Sequence, residues 1–344
     1  MTSTGTTYSF VFLSIFLGSL LIPFITVAAG LTGLLDGFKG KARFITAYTE
    51  SRLLLGDQVF NQTIVGSDGW LYLNDGSAMN AYQKVPPLSK KDLKKIRFAL
   101  EKFQREVEAD GSVPLFVILP DKQTIYPEHV PATVPRREGP SPLDQLITYL
   151  AENGSPFPIL DLRPALLDAK QDYPLYFATD SHWNPFGAFI AYQKIIETLQ
   201  PSFPNLSPYL ISDYKVVTGG PIPLDLPKII GSTSRVEAPF RLVPTDPPQA
   251  SMVFIEVPTR SMPRRLYFSH TDDNSAPTAL VFHDSFFIEL RPFVSEHFSQ
   301  AVYIDHLATP QISWLTWYKQ FHPDVVIFEL AERNIGVIPL LLGE

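Results

Sequence analysis

The sequence of 344 residues contains no cysteine. That excludes disulfides, zinc–thiolate sites and cysteine nucleophiles together, and it leaves the redox compartment unread. Histidine is scarce as well, with seven residues. A hard-metal site drawn from Asp180, His182, His283 and Asp284 would need further ligands, so neither a metal nor a cofactor is expected. The 28 basic residues are outnumbered by 35 acidic ones, for a net charge of −7, and no arginine-rich stripe or aromatic-basic interleaving occurs. Nucleic acid is therefore not an expected partner. Charged side chains are missing altogether from residues 1–35.

That uncharged N-terminus is almost wholly apolar or small over residues 10–35, longer than the roughly 20 residues that cross a bilayer. A signal anchor or transmembrane segment is expected over residues 1–36. Val27-Ala28-Ala29 also fits a signal-peptidase site, but the apolar run exceeds a usual cleaved signal. Lys39, Lys41 and Arg43 follow the segment and no Lys or Arg precedes it, which taken alone keeps the C-terminal part in the cytoplasm. A linker over 37–58 and one large domain over 59–344 complete the expected organisation. With 45% hydrophobic residues the domain can bury a sizeable core, and 32 prolines predict many rigid loops.

Within the domain the hydrophobic period changes repeatedly. Asp68-Gly69 between two apolar stretches signals a hairpin. Leu93, Ile96, Leu100, Phe103 and Val107 mark one face of an amphipathic helix. Short apolar strands are expected at 115–119, 158–161, 279–282, 302–304 and 325–328. Helices are expected at 143–150, 185–199, 288–298 and 312–321. A proline- and β-rich stretch fills 201–277. Unbroken apolar strands alternating with helices predict a parallel sheet covered on both faces, with ligands gathered at the carboxyl ends of its strands.

Two motifs carry chemistry, and both are expected at such strand ends. Asp180-Ser181-His182-Trp183-Asn184 precedes one helix. In Leu280-Val281-Phe282-His283-Asp284-Ser285-Phe286 a strand stops at Asp-Ser before the next. Together they supply an acid, a base and a hydroxyl: Ser285 as nucleophile at a strand-to-helix corner, His182 to take its proton, Asp180 to hold the imidazole. The competing reading is that Asp284 or Ser285 caps the following helix.

The first motif resembles the Asp-x-His-Trp signature of the alginate O-acetyltransferase group in the SGNH hydrolase-like superfamily, and Asp284-Ser285-Phe286 resembles its nucleophile block. Supporting matches are residues 66–72, residues 120–127, and residues 323–329 with Glu332-Arg333, all in consistent order. The resemblance implies a flavodoxin-like three-layer α/β/α sandwich, here with a β-rich insertion and an N-terminal membrane segment. It implies a domain outside the cytoplasmic membrane, in the periplasm or extracytoplasmic space, that moves acetyl groups to hydroxyls of an exopolysaccharide or cell-envelope glycan. A membrane-bound O-acyltransferase is the implied acetyl donor. Lys122, Tyr126, Trp183 and Arg333 are the candidates for the substrate pocket, Arg333 alternatively pairing with Glu329. Trp70, Tyr72, Trp314 and Trp317 are further aromatic candidates for stacking on sugars. His283 replaces the glycine that many relatives carry before Asp-Ser, a departure expected to affect the oxyanion hole, for which Asn184 and Asn334 are weak candidates. A carbohydrate esterase with the same triad and a non-catalytic anchored assembly protein are the alternatives.

Overall fold

The computed structural model describes residues 41–155, 157–257, 264–306 and 313–343. The expected membrane segment lies outside them, and among the described residues no helix is long and apolar enough to cross a membrane.

The stretch expected as linker contains helix α1 (Lys41–Leu54). It is tied to the insertion: Thr49 Oγ1 donates to the Ile230 carbonyl at 2.6 Å, and the Glu50 carboxylate accepts from the Thr233 and Ser234 N–H groups. Next, β1 (Val59–Phe60), β2 (Gln62–Val65) and β3 (Leu71–Asn74) form a small antiparallel sheet. The Asp-Gly turn joins β2 to β3 as expected. Asp68 and Gly69 take φ of 53° and 83° there, a left-handed conformation that Gly, and to a lesser degree Asp, tolerates.

Helix α2 (Ser77–Gln83) is followed by α3 (Lys90–Glu108), which starts at a capping box between Ser89 and Asp92. The five apolar positions read from the sequence of α3 are all buried. The α/β body continues with β4 (Val113–Leu119), α4 (Lys122–Ile125), α5 (Pro142–Glu152), β5 (Ile159–Asp161), α6 (Arg163–Ala169) and α7 (Pro185–Leu199). The insertion supplies β6 (Tyr214–Thr218), α8 (Asp225–Ile230), β7 (Phe240–Pro244), β8 (Ser251–Val257) and β9 (Arg264–His270). Then come β10 (Thr278–His283), α9 (Phe287–Ser295), β11 (Gln300–Asp305), α10 (Trp314–Phe321), β12 (Val325–Ala331) and α11 (Ile338–Leu341).

Seven strands form the main sheet in the order β5-β4-β12-β10-β11-β9-β8. The first five are parallel, as expected, but β9 joins β11 antiparallel and β8 joins β9 antiparallel. The sheet is therefore mixed, and part of the insertion is sheet extension; β6 and β7 pair apart from it as a two-stranded ribbon.

Because side chains alternate across a strand, each central strand feeds two cores. Leu115, Val117, Val281, Tyr303 and Ile327 face α6, α7 and α9 through Leu166, Phe189, Ile195, Leu290 and Val294. Phe116, Ile118, Leu280, Phe282, Val302 and Phe328 face α3, α5, α10 and α11 through Leu100, Phe103, Leu146, Trp314 and Ile338. Each such side chain, fully buried, contributes about 1.5–3 kcal/mol. Apolar residues on both faces are why these strands read as unbroken runs in the sequence. The result is an SGNH-like α/β fold of three layers.

Candidate active site

The nucleophile corner is built by backbone accounting. Strand β10 ends at His283, and Asp284 turns the chain: its carboxylate accepts from the Phe286 N–H at 2.9 Å and the Ala331 N–H at 3.0 Å, stapling the corner to the end of β12. Neither Asp284 nor Ser285 caps α9, whose N-cap is Phe286 with no side-chain hydrogen bond; Asp284 holds the turn ahead of the helix, and the neighbouring Ser285 is left exposed at the carboxyl edge of the sheet.

Ser285 Oγ lies 2.8 Å from His182 Nε2, across 103 residues of sequence, and His182 Nδ1 lies 3.0 Å from Asp180 Oδ1. The three residues named from sequence are thus assembled in hydrogen-bond contact. The Asp-x-His segment was expected at a strand end; it sits instead on the loop between α6 and α7, pinned by a bridge between Tyr176 and Trp183. Gly187 in the first turn of α7 permits this approach, since a Cβ there would collide with the Leu175 carbonyl.

Three charged side chains distant in sequence hold this loop, of which only Lys122 is buried. Lys122 Nζ donates to the carbonyls of Phe177 (3.2 Å), Ala178 (3.0 Å) and Asp180 (2.5 Å). The Glu237 carboxylate accepts from the Ala178 and Thr179 N–H groups at 3.1 and 2.9 Å. Asp225, at the start of α8, accepts from the Ser181 N–H at 2.8 Å and from the Ser181 hydroxyl. Three carbonyls of the loop go to one ammonium and three of its N–H groups to two carboxylates, so little is left unsatisfied in a segment that has no sheet partner of its own.

The expected pocket residues make contacts inside the protein that support the base loop and the nucleophile corner. Lys122 is almost fully buried; burial pulls its pKa down to about 7 against the charges of Asp225 and Asp180, and its ammonium is spent on the three carbonyls. Tyr126 is buried with its ring 4.5 Å from that of Trp70, and its hydroxyl accepts from the Leu175 N–H at 2.9 Å. Trp183 is buried, and its indole donates to the Phe286 carbonyl at 3.1 Å, tying the base loop to the nucleophile corner. Arg333 pairs with Asp121, not Glu329, and lies over the Phe286 ring. Tyr72 is buried, Trp314 packs on Phe103 in the opposite core, and Trp317 packs on Phe321.

Asn184 caps α7, its Oδ1 accepting from Phe186 and Gly187 N–H groups, so its side chain is committed away from any oxyanion. His283 also points inward: its ring stacks on Phe287, Nδ1 meets the Asp284 carbonyl at 2.7 Å, and burial pulls its pKa to about 3. Its bulk is accommodated in the core and does not crowd the nucleophile.

Beneath the corner, Glu329 is wholly buried and accepts the Asp284 N–H at 2.8 Å. Burial and the Asp284 charge raise its pKa well above the carboxylate range. Burial, with Asp121 beside it, raises Glu332 to about 8. Protonation lets these acids share a dry platform with Asp121, Asp284 and the Arg333 cation.

The electrostatics at the triad suit a base. Burial pushes the His182 pKa down, but the hydrogen bond and charge of Asp180 and the charge of Asp225 leave it raised above its ordinary value. Burial pushes Asp180 up, and its bonds to His182 hold it lower. A cavity of about 520 Å³, lined by Tyr209, Tyr214, Phe293 and the prolines of 244–248, opens elsewhere, beside β8 and the C-terminal end of α9. It contains none of the triad.

Residues 63–240 match the family described as the SGNH hydrolase-like domain of the acetyltransferase AlgX, and the chain belongs to this family. The matched segment includes Asp180 and His182; Ser285 lies beyond it and joins them through the fold. The chain is 30% identical over 145 residues to a probable alginate O-acetylase AlgJ of Pseudomonas syringae pv. tomato, a match covering 40% of this chain and 34% of that protein. It is 26% identical over 132 residues to the probable alginate O-acetylase AlgJ of Pseudomonas aeruginosa, covering 38% and 32%. The matches thus span about a third of the length of these relatives. Among solved structures, Bacillus cereus PatB1 with a sulfonyl adduct superimposes with a TM-score of 0.62 at 17% identity, covering 80% of this chain and 97% of that one. The O-acetyltransferase domain of Pseudomonas putida AlgJ superimposes with a TM-score of 0.51 at 18% identity, covering 82% and 99%. At these identities the likeness is one of fold.

Proposed function

We propose that this protein is an O-acetyltransferase that moves acetyl groups onto hydroxyls of an exopolysaccharide or cell-envelope glycan through an acetyl-Ser285 intermediate. The observation that carries the reading is the continuous contact from Ser285 Oγ through His182 to Asp180, at 2.8 and 3.0 Å. His182 Nε2 removes the Ser285 proton as Oγ attacks the acetyl carbonyl. The imidazolium is stabilised by Asp180 and returns its proton to the departing donor oxygen. His182 then takes the proton of a sugar hydroxyl, whose oxygen attacks the acetyl-serine carbonyl and leaves as the acetate ester while Ser285 is restored. Family membership and the names of the AlgJ relatives support acetyl transfer.

Ser285 is exposed, which suits a polymer that delivers one hydroxyl at a time and equally admits water. Water as acceptor makes the same machinery an esterase. Transfer wins only if the bound sugar gains an effective concentration above the roughly 55 M of water, well within the range of positioned reactants. With an activated acetyl ester as donor, adding oligosaccharides of the organism's own polysaccharide should divert acetyl from acetate to an O-acetylated sugar seen by mass spectrometry. Acetate as the sole product with every acceptor would replace transferase by esterase.

In the cell we place the domain on the outer side of the cytoplasmic membrane, anchored by residues 1–36 and charged with acetyl by a membrane-bound O-acyltransferase. Protease added to spheroplasts should then digest the domain. Full protection would favour the opposite orientation, the one to which Lys39, Lys41 and Arg43 point.

A further inference from the structure

The base carries more negative charge at its back than the motif supplies. Asp225 Oδ2 lies 3.7 Å from His182 Nδ1, the atom that Asp180 Oδ1 meets at 3.0 Å. Ser181 links the two: its hydroxyl donates to Asp225 Oδ2 while its Oγ sits 3.2 Å from the same Nδ1. A hydroxyl that has given its proton to a carboxylate is a stronger acceptor on its free lone pairs, so Ser181 relays the Asp225 charge toward the ring. The backbone fixes this arrangement, with the Ser181 N–H held by Asp225 Oδ1 at 2.8 Å and the Leu226 N–H on the Thr179 carbonyl at 3.3 Å.

We propose that Asp225, delivered by the insertion, is a second carboxylate of the base: a positioning residue that acts on His182 directly and through Ser181, so that two acids stabilise the imidazolium. The proposal rests on the acyl-transfer reading for its kinetics but not for its electrostatics. The charged and titratable groups facing His182 are Asp180 on its own loop, Asp225 on α8, Glu289 on α9 and Arg333 after β12. Lys122 acts one step removed, through Asp180 and Asp225. Of these groups, Asp225 alone joins Asp180 at Nδ1 within 4 Å. With two carboxylates side by side, burial and the Asp180 charge raise the Asp225 pKa, so Asp225 is the acid that lets go of its charge first as pH falls.

The test is the ionisation of His182, followed by NMR of histidine-labelled full-length protein, alongside turnover of 4-nitrophenyl acetate. Asp225→Asn should lower the His182 pKa by about half to one unit and, through that weaker imidazolium, cut kcat roughly tenfold with KM little changed. Asp225→Glu should recover most of both. Asp180→Asn should keep measurable turnover that Asp180→Asn combined with Asp225→Asn loses. Ser181→Ala, which leaves the Asp225 carboxylate in place, should shift the titration in the same direction by less, and it stands in if Asp225→Asn does not fold. An unmoved His182 titration in a folded Asp225→Asn protein overturns the proposal, as does an unmoved one in Ser181→Ala if only that variant folds. Absence of turnover in every form, wild type included, would count against the acyl-transfer reading, while the titration would still decide Asp225.

Discussion

Ser285→Ala should remove nearly all turnover of an acetyl ester, a loss on the order of 10⁴-fold or more, because no acyl-enzyme can form without the hydroxyl. The fold should scarcely notice. Ser285 is exposed and, among the described residues, its side chain bonds only His182, whereas the corner is held by Asp284, which the substitution leaves in place. Kinetics and thermal unfolding measured together check this. Retention of more than half the activity in a folded variant would remove Ser285 from the mechanism.

The second large effect lies at the base. His182→Ala and Asp180→Asn should each lower kcat by several powers of ten, and the double variant should lose far less than the product, since the two act on one proton transfer. The pH profile makes the assignment sharper. His182 works as a base only when neutral, so kcat/KM should rise with pH through its ionisation and be lost on acidification. Because Asp180 and Asp225 raise that pKa, the midpoint should lie above the ordinary value of about 6.5. Asp180→Asn removes the larger of those two influences and should move what activity remains toward lower pH. A wild-type profile flat from pH 5 to 8 would sink the assignment of His182.

Both predictions were legible before the fold was known, because the residues they concern sit in short contiguous motifs whose chemistry is local. The same holds for the helix from Leu93 to Val107, whose buried face follows from spacing alone, and for the parallel strands β4, β12, β10 and β11, whose apolar runs reflect burial on both faces. The hairpin at Asp68-Gly69 was legible too, because backbone sterics at a positive φ restrict the residue types.

The supports were not legible. Lys122, Tyr126, Trp183 and Arg333 are polar or aromatic residues within motifs, but whether such a side chain faces a ligand or a carbonyl depends on what the chain brings against it. Lys122 reaches carbonyls more than 50 residues away, and Arg333 reaches Asp121 across 212. Asp225 and Glu237 lie in a stretch that reads only as proline- and β-rich, with no periodicity to mark them. The antiparallel addition of β9 and β8 escaped for a related reason: an apolar strand carries no sign of its direction, which the loops and the pairing edge decide. The sequence by itself determined the chemistry at the triad and the alternation of elements, because hydroxyl, imidazole and carboxylate keep their reactivity in any fold and hydrophobic period is a local property. Only the tertiary structure decided which charges hold the base in place, because that follows from which groups distant in sequence the fold brings within hydrogen-bond reach.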